Sequence, residues 1–78
     1  MKVTAYFEFN KNRPDRAIIK NEWIQHTLEF PEYETIQEDG RIRRWARIGD
    51  YQGRFLRVVL LPDGQTVHNA FFDRGYQP

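Results

Sequence analysis

Residues 54–73 read RFLRVVLLPDGQTVHNAFFD, two apolar runs joined by the turn-forming stretch Pro62-Asp63-Gly64-Gln65. The first run, Arg54–Leu61, is apolar at most positions and reads as a central strand. The second, Thr66–Asp73, turns back beside it and closes the sheet. One residue breaks the pattern. Arg57 places a charge in mid-strand, where burial without a partner costs on the order of several kcal/mol.

Working outward, the loop Gly49–Gly53 precedes this hairpin, and Arg41–Ile48 reads as the strand before it. Asp39-Gly40 is a strong tight-turn signal, and Tyr33–Glu38 forms the strand on its other side. Further back, residues 21–30 (NEWIQHTLEF) have helical periodicity. Trp23, Ile24, Thr27 and Leu28 share a face, Glu22, Gln25 and Glu29 point away, and Pro31 ends the helix. Pro14 opens a short helical turn toward Ile18-Ile19. Val3–Phe9 (VTAYFEF) is aromatic-rich and reads as a first strand, followed by a basic turn at Asn10–Asp15. The expected architecture is therefore one α+β domain over residues 1–78. It has a small antiparallel meander of four to five strands, with one or two short helices on one face.

Because strand side chains alternate, the turns decide which residues share a face. An even Gly49–Gly53 loop sets Ile48 against Arg54 and Trp45 against Arg57. A turn centred on Asp63-Gly64 sets Val59 against His68 and Arg57 against Ala70. A two-residue Asp39-Gly40 turn sets Ile36 against Arg43 and Glu34 against Trp45. One face then carries Ile42, Ala46, Ile48, Leu56, Val58, Leu60, Val67 and Phe71 and seats the helix. The other carries Arg41, Arg43, Trp45, Arg47, Phe55, Arg57, His68, Ala70 and Phe72, with Glu34 and Glu38 at its margin. A bulge in the five-residue loop would reverse the parity.

Composition narrows the function classes. The 78 residues contain no cysteine, so neither disulfides nor thiolate metal sites support the fold, which suits a reducing cytoplasm. No apolar run approaches the ~20 residues of a membrane span, and Met1-Lys2-Val3-Thr4 does not begin a secretory signal. The net charge is only +1, but it is segregated. Residues 21–40 hold six acids and no Lys or Arg, whereas residues 41–60 hold six arginines against Asp50 alone. Either acids and bases pair across neighbouring strands, or one side of the protein attracts anions.

The arginine face carries the candidate chemistry. Arg57 pairs with Glu34 or Asp73, or else clamps an anion at the centre of the sheet. His68, diagonal to it, is a hydrogen-bonded filler or a group exchanging protons near neutral pH. Arg43 and Arg47 flank Trp45, and basic side chains around an aromatic plate are what single-stranded RNA requires. Trp45 reads equally as a small second apolar patch under the N-terminal strand. Arg74 and Tyr76 reach the edge of this surface or fray. His26 reads as structural, and the two histidines lack metal-ligand spacing. No cofactor motif appears.

Residues 54–76, RFLRVVLLPDGQTVHNAFFDRGY, resemble the closing hairpin of the RelE/ParE toxin superfamily. There an Arg-bearing strand turns into a second apolar strand, followed by an Arg and a terminal Tyr or His. IIKNEWIQHTLEFPE and the meander after it are similar to the BrnT-like and DUF4258 branch. The histidine that often opens the first helix of that branch is missing here. The resemblance implies a toxin of a type II toxin–antitoxin pair, a metal-independent ribonuclease cleaving messenger RNA and neutralised by a cognate antitoxin. Arg57 matches the central-strand arginine, and Arg74 and Tyr76 match the terminal basic–aromatic pair. Geometry alone offers Glu34 or His68 as base and His68 or Tyr76 as acid. The competing readings are a non-catalytic RNA-binding or regulatory module using Arg43, Trp45, Arg47 and Arg57, and a protein-interaction domain whose arginines dock an acidic partner. An exposed edge strand also offers pairing into a homodimer.

Overall fold

Turn chemistry and apolar alternation produce a four-stranded antiparallel meander. A computed structural model describes Met1–Pro78. The strands β1 (Tyr33–Ile36), β2 (Ile42–Ile48), β3 (Arg54–Leu60) and β4 (Val67–Phe72) lie side by side in chain order. Three short helices, α1 (Ala5–Asn10), α2 (Pro14–Ala17) and α3 (Asn21–Glu29), pack against them. No helix is long and apolar enough to cross a membrane.

α3 lies across β2 and β3 and delivers Trp23 and Ile24 to a core with Ile48, Leu56, Val58, Leu60, Val67 and Ala70. Thr27 is fully buried there, and its hydroxyl donates to the Trp23 carbonyl at 2.9 Å, which satisfies it. Arg44, on the same side of the sheet, donates from Nη1 to the Leu28 carbonyl at 3.2 Å and from Nε to Glu34 at 2.6 Å. A cation thus meets the last turn of the helix, where carbonyls lack partners.

The N-terminal segment is not a strand. Thr4 caps α1 by accepting the Phe7 N–H on Oγ1 at 3.1 Å. Val3, Phe7 and Asn10 then face the protein, while Phe9 is 84% exposed. This is a helical spacing of four and three residues, which the aromatic content of VTAYFEF masks. Only one parallel bridge, Val3 to Val67, touches the sheet.

Two of the three expected registers also shift. Residues 37–41 form a wider loop in place of a two-residue turn. The Gln37 N–H bonds to the Arg41 carbonyl at 2.8 Å, and Gly40 has φ 89°. A side chain at Gly40 would be strained, and its Cβ would lie 3.2 Å from Pro62. As a result Thr35 opposes Arg43, Tyr33 opposes Trp45 and Glu34 opposes Arg44. In the closing hairpin Leu60 opposes Val67 but Val59 opposes Asn69, so His68 is the extra residue of a β-bulge. Beyond the bulge the faces exchange. Ala70 and Phe72 turn to the helices, and Phe71 comes opposite Arg57 on the open side. The Gly49–Gly53 loop keeps its parity. Gly49–Tyr51 form a 3₁₀ turn, Gln52 and Gly53 take left-handed conformations (φ 58° and 65°), and Ile48 meets Arg54.

Asp63 holds the final turn. It accepts from the N–H groups of Gln65 and Thr66, each at 2.9 Å, and from the Thr66 hydroxyl at 2.6 Å. The Thr66 hydroxyl, followed by the two backbone N–H bonds, lowers its pKa to about 2. A carboxyl held below its unfolded value stabilises the fold above pH ~4, and that contribution disappears as pH falls toward 2. In urea titrations from pH 6 to pH 2, Asp63→Ala should therefore be less stable than the parent at neutral pH, with the gap closing below pH 4. A gap independent of pH would show that the charged carboxylate is not responsible.

Candidate nucleic-acid interface

The side of the sheet away from α3 is built from alternate residues of all four strands. Thr35 and Arg43 are cross-strand partners, followed by Tyr33 with Trp45, Trp45 with Arg57, and Arg57 with Phe71. The Arg57 guanidinium lies 5.5 Å from the Trp45 ring centroid and 5.1 Å from that of Phe71. Partly desolvated cations favour such aromatic faces. Asp73 stands 3.7 Å from Arg57 Nη1, and its Oδ2 accepts the Trp45 indole N–H at 2.9 Å. Of the two partners weighed for Arg57, Asp73 is the one present.

Glu34 belongs to the opposite side. The one-residue shift of β1 turns it toward Arg44 and α3, so it cannot act as a base beside Arg57. Trp45 is not an open plate either, since only 5% of it is exposed. Tyr76 stacks on it at 5.0 Å with the rings 17° apart, and Tyr33 lies 5.5 Å away. Tyr76 also meets the edge of Phe55 at 4.9 Å. Trp45 is thus the floor of a small aromatic patch, capped by the C-terminal turn rather than by an N-terminal strand. The turn itself is held where Asp73 Oδ1 accepts the Gly75 N–H at 3.1 Å.

Around this patch, four arginines form no ion pair: Arg43, Arg47, Arg54 and Arg74. Arg47 is exposed with its guanidinium 4.9 Å from the Phe55 ring, and Arg74 shares a shallow cleft with Arg54, Phe55 and Tyr76. Three buried polar atoms on the open side lack any hydrogen-bond partner, namely Arg43 Nε, Arg57 Nε and the Thr35 hydroxyl. Buried donors are ordinarily satisfied, so these two guanidiniums keep hydrogen-bonding capacity that the chain itself does not use.

At the other end of the face, His68 and Arg57 line one cleft of about 310 Å³ together with Tyr6, Gln37, Arg41 and Asn69. His68 Nδ1 lies 3.1 Å from the Thr4 hydroxyl, and the Tyr6 ring stacks on the imidazole at 4.7 Å. Burial first, then the nearby Arg41, lower the His68 pKa, opposed by Asp39. Both lowering effects favour the neutral ring. The Thr4 oxygen already accepts the Phe7 N–H, so a Thr4 hydroxyl donating to Nδ1 satisfies both groups and leaves the His68 proton on Nε2.

Sequence reasoning named Arg43, Arg47, Arg57 and His68 for this side, and all four lie there. It missed Tyr6, Gln37 and Asn69 as cleft residues. Tyr6 arrives on a helix read as a strand, and Asn69 sits at a bulge that no residue pattern announces. No group of three or more His, Asp or Glu side chains comes together anywhere in the chain. No protein-family model, curated protein or solved structure matches this chain.

Proposed function

We propose that the protein binds single-stranded RNA through its arginine face, as the toxins it resembles act on messenger RNA. The observation that carries this reading is the pair of buried, acceptor-free guanidinium N–H groups of Arg43 and Arg57, flanked by the unpaired Arg47 and Arg74. Phosphate oxygens would be met by the outer nitrogens of these guanidiniums, whose fork matches their geometry. A chain without cysteine is at home in a reducing cytoplasm, where such a substrate is found. As a toxin it would be restrained by an antitoxin, and the unpaired outer edge of β1 leaves backbone groups open for a partner strand.

Fluorescence anisotropy with a labelled 12-nucleotide RNA tests the reading. Four phosphate contacts give a salt slope near −2.8, so affinity should fall by about 50-fold between 50 and 200 mM salt. Arg43→Gln with Arg47→Gln should weaken binding and reduce the slope by about 1.4. Absence of binding at 50 mM salt, or affinity indifferent to salt, overturns the reading.

A second reading, cleavage, is favoured by Arg57 and His68 sharing one cleft. In it the 2′-oxygen attacks the adjacent phosphorus, a 2′,3′-cyclic phosphate forms and the 5′-oxygen leaves. Arg57 and Arg41 offset the charge on the phosphorane, His68 Nε2–H donates a hydrogen bond to one of its oxygens, and solvent both takes the 2′-hydroxyl proton and protonates the leaving 5′-oxygen. Cyclic phosphate ends detected by mass spectrometry, and lost in His68→Ala, would establish it. Intact RNA in the presence of binding would leave a regulatory RNA-binding module.

A further inference from the structure

We infer that the cleft between Tyr6 and Arg57 is a nucleobase site selective for an oxo-bearing purine, guanine over adenine. The inference rests on the RNA reading and specifies what this end of the face recognises. Three observations carry it. Tyr6 lies with one face on His68 while 48% of the residue stays exposed, so a rigid aromatic plate borders the cleft. Base stacking on such a plate adds affinity and does not by itself distinguish bases. The cleft volume of about 310 Å³ is at the lower end of the range for small-ligand sites and admits one base and its phosphate.

The third observation decides the base. The polar groups around the cleft are mainly donors. Arg41 and Arg57 have no acceptors at all. His68, tied to Thr4 through Nδ1, presents Nε2–H. Asn69 has its Oδ1 occupied by Arg16 Nε at 3.4 Å and the Ala70 N–H at 3.0 Å, which leaves its Nδ2 as the free group. Gln37 is the one amide that can present an acceptor. A donor-lined site fits O6 and N7 of guanine, both acceptors, and meets the N6 amino group of adenine unfavourably. Arg41 and Asp39 remain paired at the rim, with Arg41 Nε 3.6 Å from the carboxylate, so Arg57 is the nearer phosphate clamp.

The test uses guanosine 3′-monophosphate, adenosine 3′-monophosphate and inorganic phosphate, titrated into the ¹⁵N-labelled protein and followed by amide chemical shifts. Guanosine 3′-monophosphate should bind about tenfold more tightly than the adenosine nucleotide and shift the side-chain amides of Asn69 and Gln37. Tyr6→Ala, at an exposed helix position, should cost both nucleotides roughly tenfold and leave phosphate unchanged. Asn69→Asp keeps the acceptor for Arg16 and removes the free donor, and should erase the guanine preference. Equal affinity for the two nucleotides, or nucleotide binding unchanged in Tyr6→Ala, overturns the inference. If the 12-nucleotide RNA still binds with its salt dependence in that case, the RNA reading survives alone. If RNA and nucleotides all fail to bind, both fall.

Discussion

Asp73→Ala should lower stability by about 3 kcal/mol and at the same time tighten RNA binding. The carboxylate has three partners, the Trp45 indole N–H, Arg57 and the Gly75 N–H. Removing it leaves the Trp45 donor unmet beneath Tyr76 and strands Arg57 between two aromatic rings. Each unmet buried donor costs about 1–3 kcal/mol, and a charge deprived of its partner adds to that. In a domain of this length the loss should lower Tm by about 15 °C. Binding moves the other way, because Arg57 then has only phosphate as an anion, and affinity at 50 mM salt should rise about fivefold. Asp73→Asn separates the two effects. Its amide oxygen keeps the Trp45 bond and much of the stability, but it no longer competes for the guanidinium. Urea unfolding and anisotropy on the same samples provide the check. A variant of unchanged stability would show that Asp73 does not anchor this side of the sheet.

Leu56→Ala should have the largest effect on folding, about 3–4 kcal/mol. Leu56 is fully buried in β3, between Ala46 on one neighbouring strand and Phe72 on the other. Truncation removes the transfer energy of three carbons and leaves a void that a sheet held on both sides closes poorly. Native stabilities run near 0.05–0.15 kcal/mol per residue, so this chain has roughly 4–12 kcal/mol to lose. The variant should therefore be largely unfolded at 37 °C, as circular dichroism would show. Leu56→Met, which conserves volume, should cost less than about 1.5 kcal/mol. A truncation costing under 1 kcal/mol would mean that the core does not lie where α3 meets β3.

The elements of the meander were readable because each depends on local chemistry. Asp63-Gly64 and Asp39-Gly40 mark turns, Pro31 ends a helix, and apolar runs of strand length lie between them. Three departures have equally local explanations. In VTAYFEF the aromatic content favours a strand, while the helix depends on Thr4 capping Phe7 and on Val3 and Phe7 reaching the core. Glu34 was assigned to the arginine side on the assumption of a two-residue turn, and three additional loop residues moved it to Arg44. The bulge at His68 exchanged Phe71 with Phe72. Each of the last two displaces the register by one residue, and in a strand a displacement of one moves every later side chain to the other face.

Residue order alone determined the antiparallel meander, its greasy side and the concentration of arginines on the other, because alternation and turn propensity act over a few neighbouring positions. Whether Trp45 lies open or covered, which carboxylate meets Arg57, and that Tyr6 comes to rest on His68 were decided only by tertiary structure. Those contacts join residues 31, 16 and 62 positions apart. Packing chooses among many such partners, and no local pattern encodes the choice.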